Sequence, residues 1–421
     1  MNSTNSKLDD LPQELKDLIL CAAPDIATLK CLAHSSPFFH GAYANRREDI
    51  FLTVLSTEIT PDILHEARFV ARATSIERGS SWFSDVKQLL ADYDKGIDEF
   101  FPLNITSTET IYISRFLPAL HNVTLAFFQM TLSHHPLTGE KMHPPSPDRF
   151  EIRRIQRSIL RIEIFNILFS ERKYSPSYRP NWESPCEELG NLFLSRFELW
   201  EVEEMVCTRD FFYRQYDVVF RGCSVELRNW FALNEYCEED PGDSIENAVA
   251  RTKEKDFIDY REMSERLLSL GFEFLWEVLN DYSKYQEFPL LEEAFFYGEF
   301  HTPPNFLSDT LAIFFSLRDM QIMQDSEFRK TVLDSEYTGK EKPNLAWLWS
   351  VQQWNPAFDG GNYVSYCERR DCSRSWGYAM WDSSRLESLG IMNCKIQDMQ
   401  PHGPKAMQGP LLTDDPQENE S

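Results

Sequence analysis

Apolar residues recur every three or four positions along most of this chain, which is the spacing of amphipathic helices. The first such stripe consists of Leu11, Leu15, Leu18 and Ile19. Pro24-Asp25 and Ser35-Ser36-Pro37 interrupt the pattern, because proline and small polar residues end one helix and cap the next. We therefore predict three short helices between residues 8 and 55, the third running from about Phe38 to Leu55.

Helical spacing recurs along the rest of the chain, with its last stretch from Phe306 to Met323. Its most regular segment, from Ile152 to Phe169, combines an apolar stripe with an arginine-rich opposite face. Two proline-rich stretches, residues 133–148 and 174–188, are predicted loops. After Pro343 the periodicity is lost and tryptophans crowd together, so a short helix and ordered loops are expected there. The predicted fold is all-α, with a three-helix N-terminal module and a large helical body that ends in a Trp-rich irregular segment.

These patterns divide the chain into four parts. Residues 8–55 are the predicted module, and residues 56–395 are the predicted helical body. Residues 1–7 are polar, and residues 396–421 are polar and proline-rich, so both ends are predicted to be disordered.

The net charge of the chain argues against two classes of binding partner. Across 421 residues, 67 Asp and Glu oppose 42 Lys and Arg, for a net charge of −25. This acidity argues against nucleic acid, which needs a basic face, and against a basic helix on anionic lipid. A 14% aromatic fraction supplies material for buried cores. The first ten residues are polar and no apolar run reaches the length of a membrane span, so a soluble intracellular protein, cytoplasmic or nuclear, is expected.

No motif of nucleotide binding, metalloprotease or hydrolase chemistry occurs in the sequence. Carboxylate pairs such as Glu203-Glu204 are expected to be solvated, because such pairs arise by chance in an acidic chain. His134, His135 and His143 lie in a proline-rich loop without the ligand spacing of a metal site. We therefore predict no catalytic residues, no cofactor and no metal, and a protein that is not an enzyme.

Three clusters have both a structural and a binding interpretation. The arginine face at Arg153, Arg154, Arg157 and Arg161 could grip an acidic partner, but ion pairs with nearby carboxylates are favoured. The C-terminal tryptophans could form a ligand cage, but core packing is favoured. Cys367, Cys372 and Cys394 provide at most three of the four ligands of a structural zinc site, which favours reduced thiols.

The N-terminal module has more apolar surface than it can bury. Three short helices of about 45 residues are too small to enclose all of these side chains. A surplus apolar patch on a small helical unit is typical of docking, either on the rest of the chain or on a partner.

The residues of this module carry a resemblance to a known family. Leu11-Pro12-x-Glu14-Leu15-x-x-x-Ile19-Leu20, then Leu29 and Leu32, then Ser36-Pro37 and Phe39 resemble an F-box. Residues 35–47, the Arg-rich helix ending RIEIFNILF, the stretch FLSRFELWEVEEMVCTRDF and the segment 377–390 resemble F-box-like proteins of filamentous fungi.

The resemblance implies an adaptor that binds the Skp linker subunit of a cullin-based ubiquitin ligase, while its body presents a protein target. By motif position, the residues facing that subunit would be Leu11, Pro12, Leu15, Ile19, Leu29 and Leu32. The alternative is a structural or scaffolding protein whose F-box-like helices pack on its own body. Burial of the motif residues by the rest of the chain would favour that alternative.

Overall fold

A computed structural model describes residues 11–98 except Arg78, 105–169 except Pro144, 185–222, 267–280, five positions between 307 and 314, 344–353 and 373–394. Several predictions lie outside these residues: disorder at both ends, most of the second loop, Trp354, Cys367 and Cys372. Compact packing divides the chain into two units, residues 1–120 and 121–421.

The described residues are mostly α-helical and contain no β-strand, which confirms the predicted all-α class. Within them, none of the helices is at once long enough and apolar enough to cross a membrane. In chain order the helices are α1 (Gln13–Cys21), α2 (Ile26–Ser35), α3 (Pro37–Asn45), α4 (Arg47–Glu58), α5 (Pro61–Ala73), α6 (Trp82–Asp98), α7 (Ser107–Thr131), α8 (Arg149–Phe169), α9 (Pro185–Phe193), α10 (Leu199–Gly222), α11 (Phe272–Asn280), α12 (Leu345–Gln353) and α13 (Ser383–Ser388). Single 3₁₀ turns occupy Leu194–Arg196, Tyr378–Met380 and Ile391–Asn393.

Helices α1 to α4 form a small module with a core of its own. Its buried residues are Leu20, Ala23, Leu29, Ala33, Phe39, Ala42, Ile50 and Val54. The predicted cap of α2 is confirmed, because the Asp25 carboxylate accepts a hydrogen bond from the Thr28 amide at 2.6 Å. At the start of α3, the Ser36 hydroxyl accepts one from the Phe39 amide at 3.3 Å.

The module has four helices where three were predicted. The backbone of Arg46 leaves the helical region at φ −134° and ψ 35°, so the predicted third helix is divided into α3 and α4. The guanidinium of Arg46 bonds to Asp17 at 3.4 Å and to Asp49 at 3.1 Å. The change of direction lets Ile50 and Val54 of α4 join the core formed by the first three helices.

In the second unit, α8 and α10 pack against each other, and the 3₁₀ turn Tyr378–Met380 packs on both. Trp347, Trp376 and Trp381 are fully buried, which confirms that these tryptophans serve core packing. Gly377 enters the turn at φ +67°, a left-handed conformation that favours glycine, and a side chain there would meet the Phe127 ring. The described residues of the predicted loop 133–148 are non-helical, as expected, with a bridge between His134 and Lys141.

Candidate partner-binding surface

Helix α1 presents leucines to solvent and keeps charged side chains inside. Leu15 is 44% exposed and Leu18 is 64% exposed, whereas Lys16 and Asp17 between them are buried. This arrangement reverses the usual distribution, in which Lys and Asp are rarely buried unless they are paired.

The inward charges of α1 have partners that account for their position. The Asp17 carboxylate accepts a hydrogen bond from the Gln13 side chain at 2.7 Å and forms an ion pair with Arg46 at 3.4 Å. On the next turn, Leu20 is completely buried in the module core. Because Asp17 and Leu20 define the inner face of α1, Leu15 and Leu18 necessarily point outward.

Phe38 adds an aromatic ring to this exposed face. It lies in the first turn of α3, is 53% exposed, and has the Lys16 ammonium 5.1 Å from its ring centroid. Because Lys16 belongs to α1, this cation–π contact places the Phe38 ring beside α1. We refer to Leu15, Leu18 and Phe38 as the apolar surface of the module.

The six residues predicted by motif position fall into three groups. Pro12 and Leu15 are exposed, and Leu11 is half-buried. Ile19 and Leu32 are partly buried against the module core. Leu29 is only 2% exposed, so this assignment is corrected: the side chain is a core residue and offers no surface to a partner.

Leu18 and Phe38 belong to the apolar surface, although the motif does not include them. Leu18 lies on the apolar stripe of the sequence, and that stripe could have identified it as a surface residue of the module. Phe38 was predicted only as part of a helix. Phe38 is exposed because of the orientation of α3: the residue that follows it, Phe39, points into the module core.

A second group of polar residues lies inside the second unit, where the carboxylates of α10 meet arginines. Glu203 and Glu204 are buried, so the expectation that this pair is solvated was wrong. The Glu203 carboxylate accepts hydrogen bonds from Arg374 at 2.8 and 3.0 Å and from the Tyr378 hydroxyl at 2.9 Å. Glu204 accepts one from Arg157 at 2.9 Å.

The ion-pair interpretation of the arginine face of α8 is confirmed at Arg154, Arg157 and Arg161. Arg154 bonds to Asp382 at 2.5 Å, Arg157 to Glu204, and Arg161 to Glu201 at 2.9 Å. Arg157 and Arg161 are buried, so these two side chains have no free surface with which to grip a partner.

These arginines also determine the charge state of Glu201. Burial would raise the pKa of this carboxyl, but the charges of Arg161 and Arg157 outweigh burial and lower the pKa to about 2. A group ionised at all physiological pH values is poorly matched to proton transfer near neutrality. Its interactions are those of a structural ion pair.

His135 and Cys394, two of the candidate metal ligands of the sequence, make local structural contacts. The His135 ring accepts a hydrogen bond from the Leu137 amide at 3.2 Å, which shapes the loop. The Cys394 thiol donates to the Gly390 carbonyl. In the part of the chain that the structure describes, no three His, Cys, Asp or Glu side chains converge as metal ligands.

No protein-family model, curated protein or solved structure matches this chain.

Proposed function

We propose that this chain is an adaptor whose N-terminal module binds the Skp linker subunit of a cullin-based ubiquitin ligase and whose body presents a protein target. The observation that supports this most strongly is the outward orientation of Leu15 and Leu18 on α1, beside the exposed ring of Phe38. The resemblance of residues 11–39 to an F-box supports the Skp linker subunit as the occupant of this surface.

The size of the apolar surface is compatible with this role. The exposed fractions of the three side chains add up to roughly one and a half fully exposed apolar side chains. Covering that area would contribute on the order of 3 kcal/mol, which corresponds to about 150-fold in Kd. The motif residues Leu11 and Pro12 would enlarge the contact.

The alternative is a structural protein whose F-box-like helices pack on its own body. Burial of Leu15 by the same chain would favour it, whereas the structure leaves this side chain 44% exposed. The exposed leucines therefore favour the adaptor.

The test is retention of the purified Skp linker subunit by the full chain carrying Leu15→Asp and Leu18→Asp. Because both side chains are exposed, these substitutions leave the module core intact. Ile19→Asp is a poorer choice, since Ile19 packs on that core. We expect binding to weaken at least about 100-fold, because apolar contact is lost and charge must be desolvated.

The matched control carries Leu125→Asp and Leu345→Asp, two leucines of the second unit that are 46% and 47% exposed. It introduces the same number of charges at similar exposure and is expected to retain the linker subunit fully. Equal retention by the Leu15/Leu18 variant and this control would overturn the proposal.

A further inference from the structure

Two histidines lie side by side on the surface of the N-terminal module, where α2 ends and α3 begins. His34 is in the last turn of α2 and His40 is near the start of α3, with Ser36 as the single extended residue between the helices. The two ring centroids are 5.7 Å apart, and the ring planes are inclined to each other by 27°. Both side chains are exposed to solvent, so neither ring serves to fill the module core.

The packing of the module holds the two rings together. Ala33 and Phe39, the residues that precede the two histidines, are buried in the core, so His34 and His40 face outward. The turn between the helices is fixed by the Ser36 hydroxyl, which accepts a hydrogen bond from the Phe39 amide at 3.3 Å. The imidazoles are therefore presented by two packed helices, which keeps them close to each other at little cost in conformational entropy.

Both imidazoles are available as ligands. Within the described residues, neither ring has a hydrogen bond or an ion pair, and the contact of each is with the other ring. A neutral imidazole carries one nitrogen with a free lone pair, which can ligate a metal ion.

The separation of the rings is that of two imidazoles on one metal ion. With metal–nitrogen distances of about 2.0–2.1 Å and a tetrahedral angle, the centres of two coordinating rings lie roughly 5–6 Å apart. The distance between the His34 and His40 centroids falls within this range. Rotation about the side-chain torsions of two exposed residues is enough to turn one nitrogen of each ring toward a common point.

We propose that His34 and His40 form a bidentate site for a divalent transition-metal ion, which joins the end of α2 to the start of α3. Imidazole is a ligand of Zn²⁺, Cu²⁺ and Ni²⁺, whereas Mg²⁺ and Ca²⁺ prefer oxygen ligands, so transition metals are the class of ion that the pair takes. Water completes the coordination of the metal. The inference goes beyond the proposed function and does not rest on it, since neither histidine belongs to the apolar surface.

The test is an NMR titration of the full chain, labelled with ¹³C in its histidine rings, with Ni²⁺ as the probe. Bound Ni²⁺ is paramagnetic and broadens the signals of the rings that coordinate it, so the nine histidines report separately. Excess Mg²⁺ in the buffer occupies the carboxylates and leaves the imidazoles free. We expect the His34 and His40 signals to broaden together, at a lower Ni²⁺ concentration than the signal of His143, an exposed histidine of the first loop.

The decisive variant is His34→Gln, compared with His143→Gln. Loss of one ring leaves His40 as a single ligand, so the Ni²⁺ concentration that broadens its signal is expected to rise at least about tenfold, because the second contact of a chelate is intramolecular. His143→Gln also removes one exposed imidazole and is expected to leave that concentration within about twofold. His40→Gln provides the reciprocal measurement on the His34 signal, so the test does not depend on one variant.

An unchanged Ni²⁺ response of His40 in His34→Gln would overturn the proposal, because it would show that each ring binds the ion alone. Broadening of the His143 signal at the same concentration as the pair would overturn it as well. The positions of the remaining histidine signals before Ni²⁺ is added show whether each variant is folded. The titration contains no linker subunit, so failure of this inference and failure of the proposed function are observed separately.

Discussion

Replacing Arg374 by methionine tests whether the buried charges of the second unit are coupled across the chain. Glu203 is fully buried, and Arg374 approaches it with two donors at 2.8 and 3.0 Å. Methionine preserves much of the aliphatic stem of Arg374 but removes the guanidinium. The Glu203 carboxylate then stays in a low-dielectric interior without the charge that offsets it.

Removal of one member of a buried ion pair typically costs about 3–5 kcal/mol. The side chain of Arg374 retains 13% exposure, so water screens the pair slightly and the lower end of the range applies. We therefore expect Arg374→Met to lower the free energy of unfolding of the second unit by about 3 kcal/mol. Denaturant titration followed by tryptophan fluorescence measures this change, because the second unit contains the fully buried Trp376, whose ring centroid is 6.1 Å from that of Tyr378, a hydrogen-bond donor to Glu203.

The control for this substitution is the double variant Glu203→Met with Arg374→Met. Replacing both members of a buried pair by apolar residues is often close to neutral, so we expect the double variant to recover most of the lost stability. A loss below about 1 kcal/mol in Arg374→Met would refute the electrostatic reasoning. A double variant as unstable as the single one would assign the effect to packing instead.

Two further predictions concern the second unit. Glu201 has a folded pKa of about 2 against an ordinary value of 4.5, so its contribution is present above pH 4.5 and is lost as the pH falls towards 2. Arg161→Gln is expected to flatten the loss of stability across that window in urea titrations, and equal pH slopes for both proteins would contradict this. Gly377→Ala combines φ +67° with a contact of 2.9 Å to the Phe127 ring, and is expected to cost about 2–4 kcal/mol. Gly390→Ala, at φ +68° in open space, is expected to cost only about 1–2 kcal/mol, and equal melting temperatures for the two variants would show that the ring contact contributes nothing.

Local signals in the sequence predicted local structure well. The spacing of isoleucines identified α8, and Pro24-Asp25 identified the end of α1 and the cap of α2. The break at Arg46 was missed because Tyr43 and Ile50 are seven residues apart, a spacing that fits one continuous helix. The helix is divided because Ile50 and Val54 pack on the core formed by α1 to α3.

Ion pairs between residues far apart in the chain could not be predicted from the sequence pattern. Glu203 was expected to be solvated because nothing near it in sequence distinguishes it from other carboxylates. Its partner Arg374 lies 171 positions away. The arginine face of α8 was easier to interpret, because a surplus of nearby acidic residues made ion pairing the simplest outcome.

The candidate surface was predicted in part. A leucine stripe beside a small module indicated an unpaired apolar face, and Leu15 lies on that face. The motif could not show which leucines α1 turns inward, since that depends on the position of Asp17 against Arg46. Leu29, which motif position placed at the partner, is therefore a core residue, whereas Leu18, which lies outside the motif, is exposed.

The ion pairs that join α8 to the C-terminal segment have a consequence for synthesis on the ribosome. Glu151 accepts hydrogen bonds from Arg385, which follows 234 positions later, and Arg154 pairs with Asp382, 228 positions later. At about 5–20 residues per second, these partners are made on the order of 10 to 50 s after α8. During that interval the charges of Glu151 and Arg154 remain hydrated, and they can be buried only when α13 has left the ribosome.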